Sequence, residues 1–154
     1  MNEVPSSSDF RLFSKESGPS LENVRSAGEA VLCRYPQVTL AYIFGSFVTR
    51  DSFRDIDIAV LFSGKQDSCA LFDLQMEIAG EIEDLLSPRV PCDVRVLNNA
   101  PVEFCFEVIR TGTVLFCRST DQKASYEADT IRRYLDLEYL LDRVDRAYLF
   151  GVTV

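Results

Sequence analysis

The sequence predicts an α+β domain: a small mixed β-sheet packed with helices and followed by a long C-terminal helix. Three observations predict it. Short apolar runs rich in β-branched and aromatic residues alternate with longer stretches of helical periodicity. The runs at 38–44 and 55–62 are joined by a short turn-like connection, compatible with antiparallel pairing. A helix-length segment separates the second run from the run at 92–97, and a crossover of that kind allows parallel pairing.

The elements follow in order. Residues 1–20 carry Ser, Pro, Gly and scattered charge without periodicity, and read as a flexible arm, mobile or loosely docked. Residues 21–154 read as a single domain. Leu21, Val24, Val31, Leu32 and Tyr35 fall near helical spacing, and Pro36 stops that helix. Residues 38–44 form the first strand, 46–51 a short turn or helix, and 55–62 the second strand, ended by Ser63 and Gly64. Asp67 and Ser68 can cap a helix to about residue 86, with Leu71, Leu74, Ile78, Ile82 and Leu85 on one face. Its Glu77, Glu81 and Glu83 read as charges on the solvated face. After the Ser87-Pro88 break comes the third strand, with Asp93, Arg95 and Leu97 on one face and Cys92, Val94 and Val96 on the other. Pro101 suits a helix start, and that helix runs to Arg110. Residues 113–117 make a fourth strand. The last helix spans about 123–150, where Tyr134, Leu137, Leu141, Val144 and Tyr148 repeat at three and four. Tyr139, Leu140 and Phe150 fall off that seam, and the excess suggests either a second contact, with another copy or with a different partner, or a thoroughly buried helix in a small α+β domain.

Composition bounds the function. At 154 residues, with 47% hydrophobic and 26% charged content, the chain suits one domain with a real core. No apolar run approaches the roughly 20 residues of a membrane span. The N-terminus has neither a basic start nor an apolar run, so we expect no secretory signal and a cytoplasmic protein. Cys33, Cys69, Cys92, Cys105 and Cys117 form no C-x-x-C pair and read as reduced, mostly buried thiols. There is no histidine, which disfavours a zinc site and removes the commonest general base. The net charge of −8, without a Lys/Arg cluster, argues against template-directed chemistry on nucleic acid, which needs a basic groove.

The chemistry concentrates around Gly45 and Ser46, which end the first strand, and Asp55 and Asp57, which open the second. Side chains two apart on a strand share a face, so the two aspartates project together. If the third strand neighbours the second, Asp93 joins them. Two unit charges about 4 Å apart repel by roughly 4 kcal/mol at an effective dielectric near 20, so three such carboxylates need a positive centre among them. A hard divalent cation supplies it, and Mg²⁺ is usual where oxygen ligands meet phosphates. The bland alternatives are that Arg50 and Arg54 neutralise Asp55 and Asp57 in a surface network, and that Asp93 pairs with an arginine. Gly45 weighs against them, because glycine lets backbone approach a phosphate closely. A serine opening a helix adds a hydroxyl and N–H groups for an anion.

Gly45-Ser46, then Asp55-x-Asp57 opening a strand, then Asp93 on a later strand, resembles the nucleotidyltransferase superfamily that includes DNA polymerase β. At this length the resemblance is closest to the minimal nucleotidyltransferases (MNT), the antitoxin halves of HEPN/MNT toxin–antitoxin pairs. It covers about residues 22 to 150, including 93–101 and 134–137. Family members commonly read Gly-Ser-x-Ala-Arg-Gly after the strand. Here Phe47-Val48-Thr49-Arg50 follow Ser46, and the connection to Asp55 is shorter than is common.

The resemblance implies a nucleotidyltransferase fold and Mg²⁺-dependent transfer of AMP from ATP. Asp55, Asp57 and Asp93 would be the catalytic acids and hold two metals, with Asp93 helping to deprotonate the attacking hydroxyl. Gly45 and Ser46 would hold the β- and γ-phosphates, assisted by Arg50 or Arg54. The acceptor it implies is a tyrosine of a cognate HEPN ribonuclease toxin, with this chain as antitoxin in a hetero-oligomer that contacts neither nucleic acid nor membrane. Two alternatives stand beside it. One is a catalytically weak or inactive module of this fold that neutralises its partner by contact. The other is transfer to a small molecule such as an aminoglycoside, disfavoured because those enzymes usually carry a second helical domain.

Overall fold

Periodicity of two in the central strands decides which side chains each face of the sheet receives. The computed structural model describes residues 11–151. Along the chain run β1 (Phe13–Ser14), α1 (Leu21–Leu32), β2 (Val38–Phe44), α2 (Ser46–Thr49), β3 (Ser52–Phe53), β4 (Ile56–Phe62), α3 (Ser68–Leu85), β5 (Cys92–Val96), α4 (Val102–Thr111), β6 (Thr113–Cys117) and α5 (Thr120–Phe150). Four strands form one sheet in the order β5-β4-β2-β6. β2 is antiparallel to β4 and β6, and β4 is parallel to β5, with α3 as the crossover. The sheet is therefore mixed, as the connection lengths predict.

Ile56, Ile58, Val60 and Phe62 of β4 point to one face, where they meet Val24, Val31 and Leu32 of α1 and Ile78 and Ile82 of α3. Ala59 and Leu61 point to the other, with Leu40 and Tyr42 of β2 and Cys105 and Val108 of α4. Asp57, in phase with Ala59, belongs to this second face. Tyr42, 2% exposed, donates its hydroxyl proton to Glu127 Oε1 at 2.7 Å, which fastens the first half of α5 to the sheet. Burial, and then the Glu127 carboxylate, push the Tyr42 hydroxyl above its ordinary pKa, so it remains a donor.

Local signals account for the element ends. Ser20 Oγ accepts from the Asn23 N–H at 3.1 Å and starts α1, and Asp67 Oδ1 accepts from the Ala70 N–H at 2.7 Å and starts α3. α1 stops before the expected Tyr35, because Arg34 and Tyr35 donate to the carbonyls three residues back and tighten the last turn. Leu85, expected on the inner face of α3, is 56% exposed. Leu86, just past the helix, is buried in its stead.

Glu81 and Glu83 are not the solvated charges expected. Glu81 Oε2 accepts from the Tyr35 hydroxyl at 2.8 Å, and Glu83 Oε1 accepts from the Cys92 N–H at 2.7 Å. Gln75 Nε2 donates to the Val94 carbonyl at 2.8 Å, so two side chains of α3 cap outward-facing backbone groups of the edge strand β5. The cysteines are free thiols, yet Cys33 and Cys69 are exposed.

β1 and β3 have no counterpart in the sequence reading. They pair antiparallel as a separate two-stranded ribbon, so residues 13–14 of the predicted arm lie against the loop before β4. Residues 1–10 of that arm fall outside the described residues. On α5 the apolar seam is covered through Tyr134, whose ring stacks on Phe106 with centroids 3.8 Å apart, and in part at Leu137. Leu141, Val144 and Tyr148 are 51%, 49% and 88% exposed, so that part of the seam does not pack on the sheet.

Candidate active site

The site begins at the end of β2. Phe44 pairs with Asp57 across the β2–β4 ladder, and the chain then turns through Gly45 at φ +78°. That backbone conformation favours glycine, and here a second constraint is added. A Cβ at Gly45 would fall onto the Asp57 carboxylate, so only a residue without a side chain lets the acid lie against the corner. Ser46 opens α2, whose single turn is closed by the Arg50 N–H on the Ser46 carbonyl at 2.9 Å and by Thr49 Oγ1 on the Gly45 carbonyl at 3.0 Å.

The acids come together across two strands. Asp57 and Asp93 are register partners in the parallel β4–β5 ladder, so they share a face at the start of both strands. Asp55 stands two residues before Asp57, just outside β4. Burial first, then the negative charges of Asp55 and Asp93, push the Asp57 carboxyl up to about 6, and Arg95 opposes that rise. Asp57 thus feels the charge of both other acids. Both side chains of the Asp93–Arg95 ion pair are about half exposed, and Arg95 Nε stands 3.2 Å from Asp93 Oδ2. An ion pair so open to water contributes about 0–1 kcal/mol.

Arg50 and Arg54 are exposed, and among the described residues neither forms an ion pair with Asp55 or Asp57. The alternative of surface neutralisation therefore fails for that pair, while the arginine-paired Asp93 is observed. Asp93 also borders a cavity of about 330 Å³ between α3 and β5, which Phe72 and Met76 line from the helix side.

A divalent cation can be tested against these donors. Among the described residues no three His, Cys, Asp or Glu side chains stand at metal-ligand spacing. The donor chemistry nevertheless fits a hard cation. The candidates are carboxylates only, and one of them is destabilised in its charged form by the other two, a cost that a cation removes. The weak Asp93–Arg95 pair presents little resistance to such an exchange.

A glycine corner against Asp57, on a mixed sheet with Asp93 on the parallel neighbour, is the arrangement expected from the resemblance to nucleotidyltransferases. The chain belongs to the polymerase beta nucleotidyltransferase family, whose model (Polymerase beta, Nucleotidyltransferase) matches residues 29–121. Among solved structures it is similar to a chain of a toxin–antitoxin complex with AMP-PNP, at 25% identity and TM-score 0.60 over 80% of this chain and 98% of that one. It is also similar to a chain of a mutant form of the toxin–antitoxin MntA-HpeT, at 26% identity and TM-score 0.55 over 75% and 92%. It shares its fold with a chain of the tri-AMPylated Shewanella oneidensis HEPN toxin in complex with MNT antitoxin, at 24% identity and TM-score 0.54 over 78% and 98%. No curated protein sequence matches the chain. No helix among the described residues is long and apolar enough to cross a membrane.

The residues missed in the sequence are those that brace the site. Phe13 and Phe53 are buried at 3% and 2% although each lies in a segment with little regular structure. The one available signal is an aromatic residue in each of two otherwise largely polar stretches.

Proposed function

We propose that this protein transfers AMP from ATP to a hydroxyl of a protein partner, and that the partner is a helical toxin which the modification silences. The observation that carries it is the pairing of Asp57 with Asp93 across β4 and β5, with the Gly45 backbone against the Asp57 carboxylate. Family membership and the likeness to a toxin–antitoxin chain with AMP-PNP support the reading. Asp55 and Asp57, with Asp93, are the residues to hold Mg²⁺. When bound, Mg²⁺ neutralises phosphate charge and lowers the pKa of an oxygen bound to it.

The chain's own groups divide the remaining work. The Gly45–Ser46 corner receives the β- and γ-phosphates, because backbone without a side chain admits an anion there. The acceptor oxygen attacks the α-phosphorus, the bond from that phosphorus to the bridging oxygen breaks, and pyrophosphate leaves. With no histidine in the chain, the acceptor proton passes to a carboxylate, and Asp93, at the edge strand and bordering an open cavity, is placed to take it. Arg95, beside Asp93, holds that carboxylate until the nucleotide arrives.

The test is incubation with Mg²⁺, labelled ATP and the small helical toxin encoded in the adjoining reading frame. We expect label on the toxin, lost with Asp57→Asn. Toxin that is neutralised without label would favour the second reading, neutralisation by contact alone. The engagement of Asp93 by Arg95 is the observation on that side.

A further inference from the structure

The loop between the Gly45–Ser46 corner and the acidic strand is gripped by the chain's own N-terminal segment. Phe13 pairs with Phe53 and Ser14 with Ser52, and the Lys15 N–H donates to the Asp51 carbonyl at 3.2 Å. The Phe53 ring lies between two others. Phe13 stacks on it at 5.8 Å, and Phe47 of α2 meets it edge-on at 4.8 Å. Such pairs stabilise beyond their burial, whereas a two-residue ribbon alone is marginal.

The segment then turns back on itself. The Gly18 N–H donates to the Ser14 carbonyl at 2.9 Å, and the Ser14 and Ser17 amides donate to each other's hydroxyls at 2.8 and 3.1 Å. A side chain at Gly18 would come within 2.6 Å of Phe53 Cζ, so the turn closes directly over the ring. The family match begins at residue 29, well after this segment.

The mechanical consequence falls on Asp55. Asp57 is held by its ladder partners Phe44 and Asp93 and by the Gly45 corner. Asp55 precedes β4 and has no ladder partner; the Ile56 N–H on the Pro91 carbonyl at 2.9 Å fixes its C-terminal side, so the freedom left to Asp55 lies with the loop 50–55. The geometry points to residues 13–18 as a positioning segment that holds this loop, and with it Asp55, through the Phe13–Phe53–Phe47 stack. The inference rests on the reading of Asp55 as an active-site acid.

Full-length chain carrying Phe13→Ala tests it, with Phe13→Leu as the variant that keeps the burial and Leu12→Ala, at an exposed position, as the control. Hydrogen exchange is one readout and the steady-state constants for ATP are the other. We expect exchange at residues 51–55 to quicken about tenfold or more with β2 and β4 unchanged, a local rather than global opening. We expect kcat to fall between about tenfold and hundredfold with KM for ATP within about threefold, the pattern of a misplaced group rather than lost binding. Phe13→Leu should recover most of both, and Leu12→Ala should match the parent chain. Unchanged exchange at 51–55, or faster exchange in every strand, overturns the proposal, as does a loosened loop with kcat intact. If the parent chain transfers no AMP at all, the proposed activity fails, and the exchange result still decides whether the segment grips the loop.

Discussion

Asp57 has the most unusual environment of the acidic group, and its chemistry gives a prediction that needs no nucleotide. Its carboxyl is raised from an ordinary 3.8 to about 6, so the folded chain binds that proton more tightly than the unfolded chain does. The contribution to stability is therefore full below about pH 4 and is lost as pH rises through about 6. Asp57→Asn removes the titration. In metal-free buffer we expect the variant to gain stability relative to the parent between pH 4 and 7. The gain should be on the order of 1 kcal/mol once the acid's partial exposure is allowed for, read from urea unfolding at several pH values. A constant difference across that range would count against the acidic group as described. The nearness of Asp55 to Asp57 was legible in the sequence from their spacing of two, although Asp55 falls just outside β4. The identity of Asp93's partner was legible only as a type of residue, since which arginine reaches it depends on side-chain conformation.

At the scale of elements, α3 does more than cover one face of the sheet. Glu83 and Gln75 reach past its buried stripe and satisfy the Cys92 N–H and the Val94 carbonyl on the outer edge of β5. That edge strand also carries Asp93, so the cap steadies one side of the site. Glu83→Ala leaves the Cys92 amide without its acceptor, and we expect a loss of about 1–3 kcal/mol, read as a lower urea midpoint with unchanged slope. Periodicity identified α3 and its apolar stripe, because burial of one face repeats every three or four residues. It gave no sign of the edge caps, which join residues nine and nineteen apart with no repeating pattern. The same reason hid the β1–β3 ribbon: two residues are too few for an alternation to show.

At the scale of the molecule, the seam on α5 outruns the domain that could bury it. Its heptad-like spacing continues through Leu141, Val144 and Tyr148, but these residues are largely exposed. A substitution there should therefore matter little to the isolated chain. We expect Leu141→Gln to shift unfolding by no more than about 0.5 kcal/mol, whereas a seam position packed on the core would cost several times more. The sequence alone determined the order of the helices and of the four strands of the main sheet, its mixed character, the glycine corner and the spacing of the aspartate pair, all set by neighbours close along the chain. Only the tertiary structure decided that Asp93 pairs with Asp57, that Arg95 stands on it, that Phe13 packs against Phe53, and that the outer seam stays uncovered. Local patterning fixes which way a side chain points along its own element, whereas what it meets there depends on how distant elements pack.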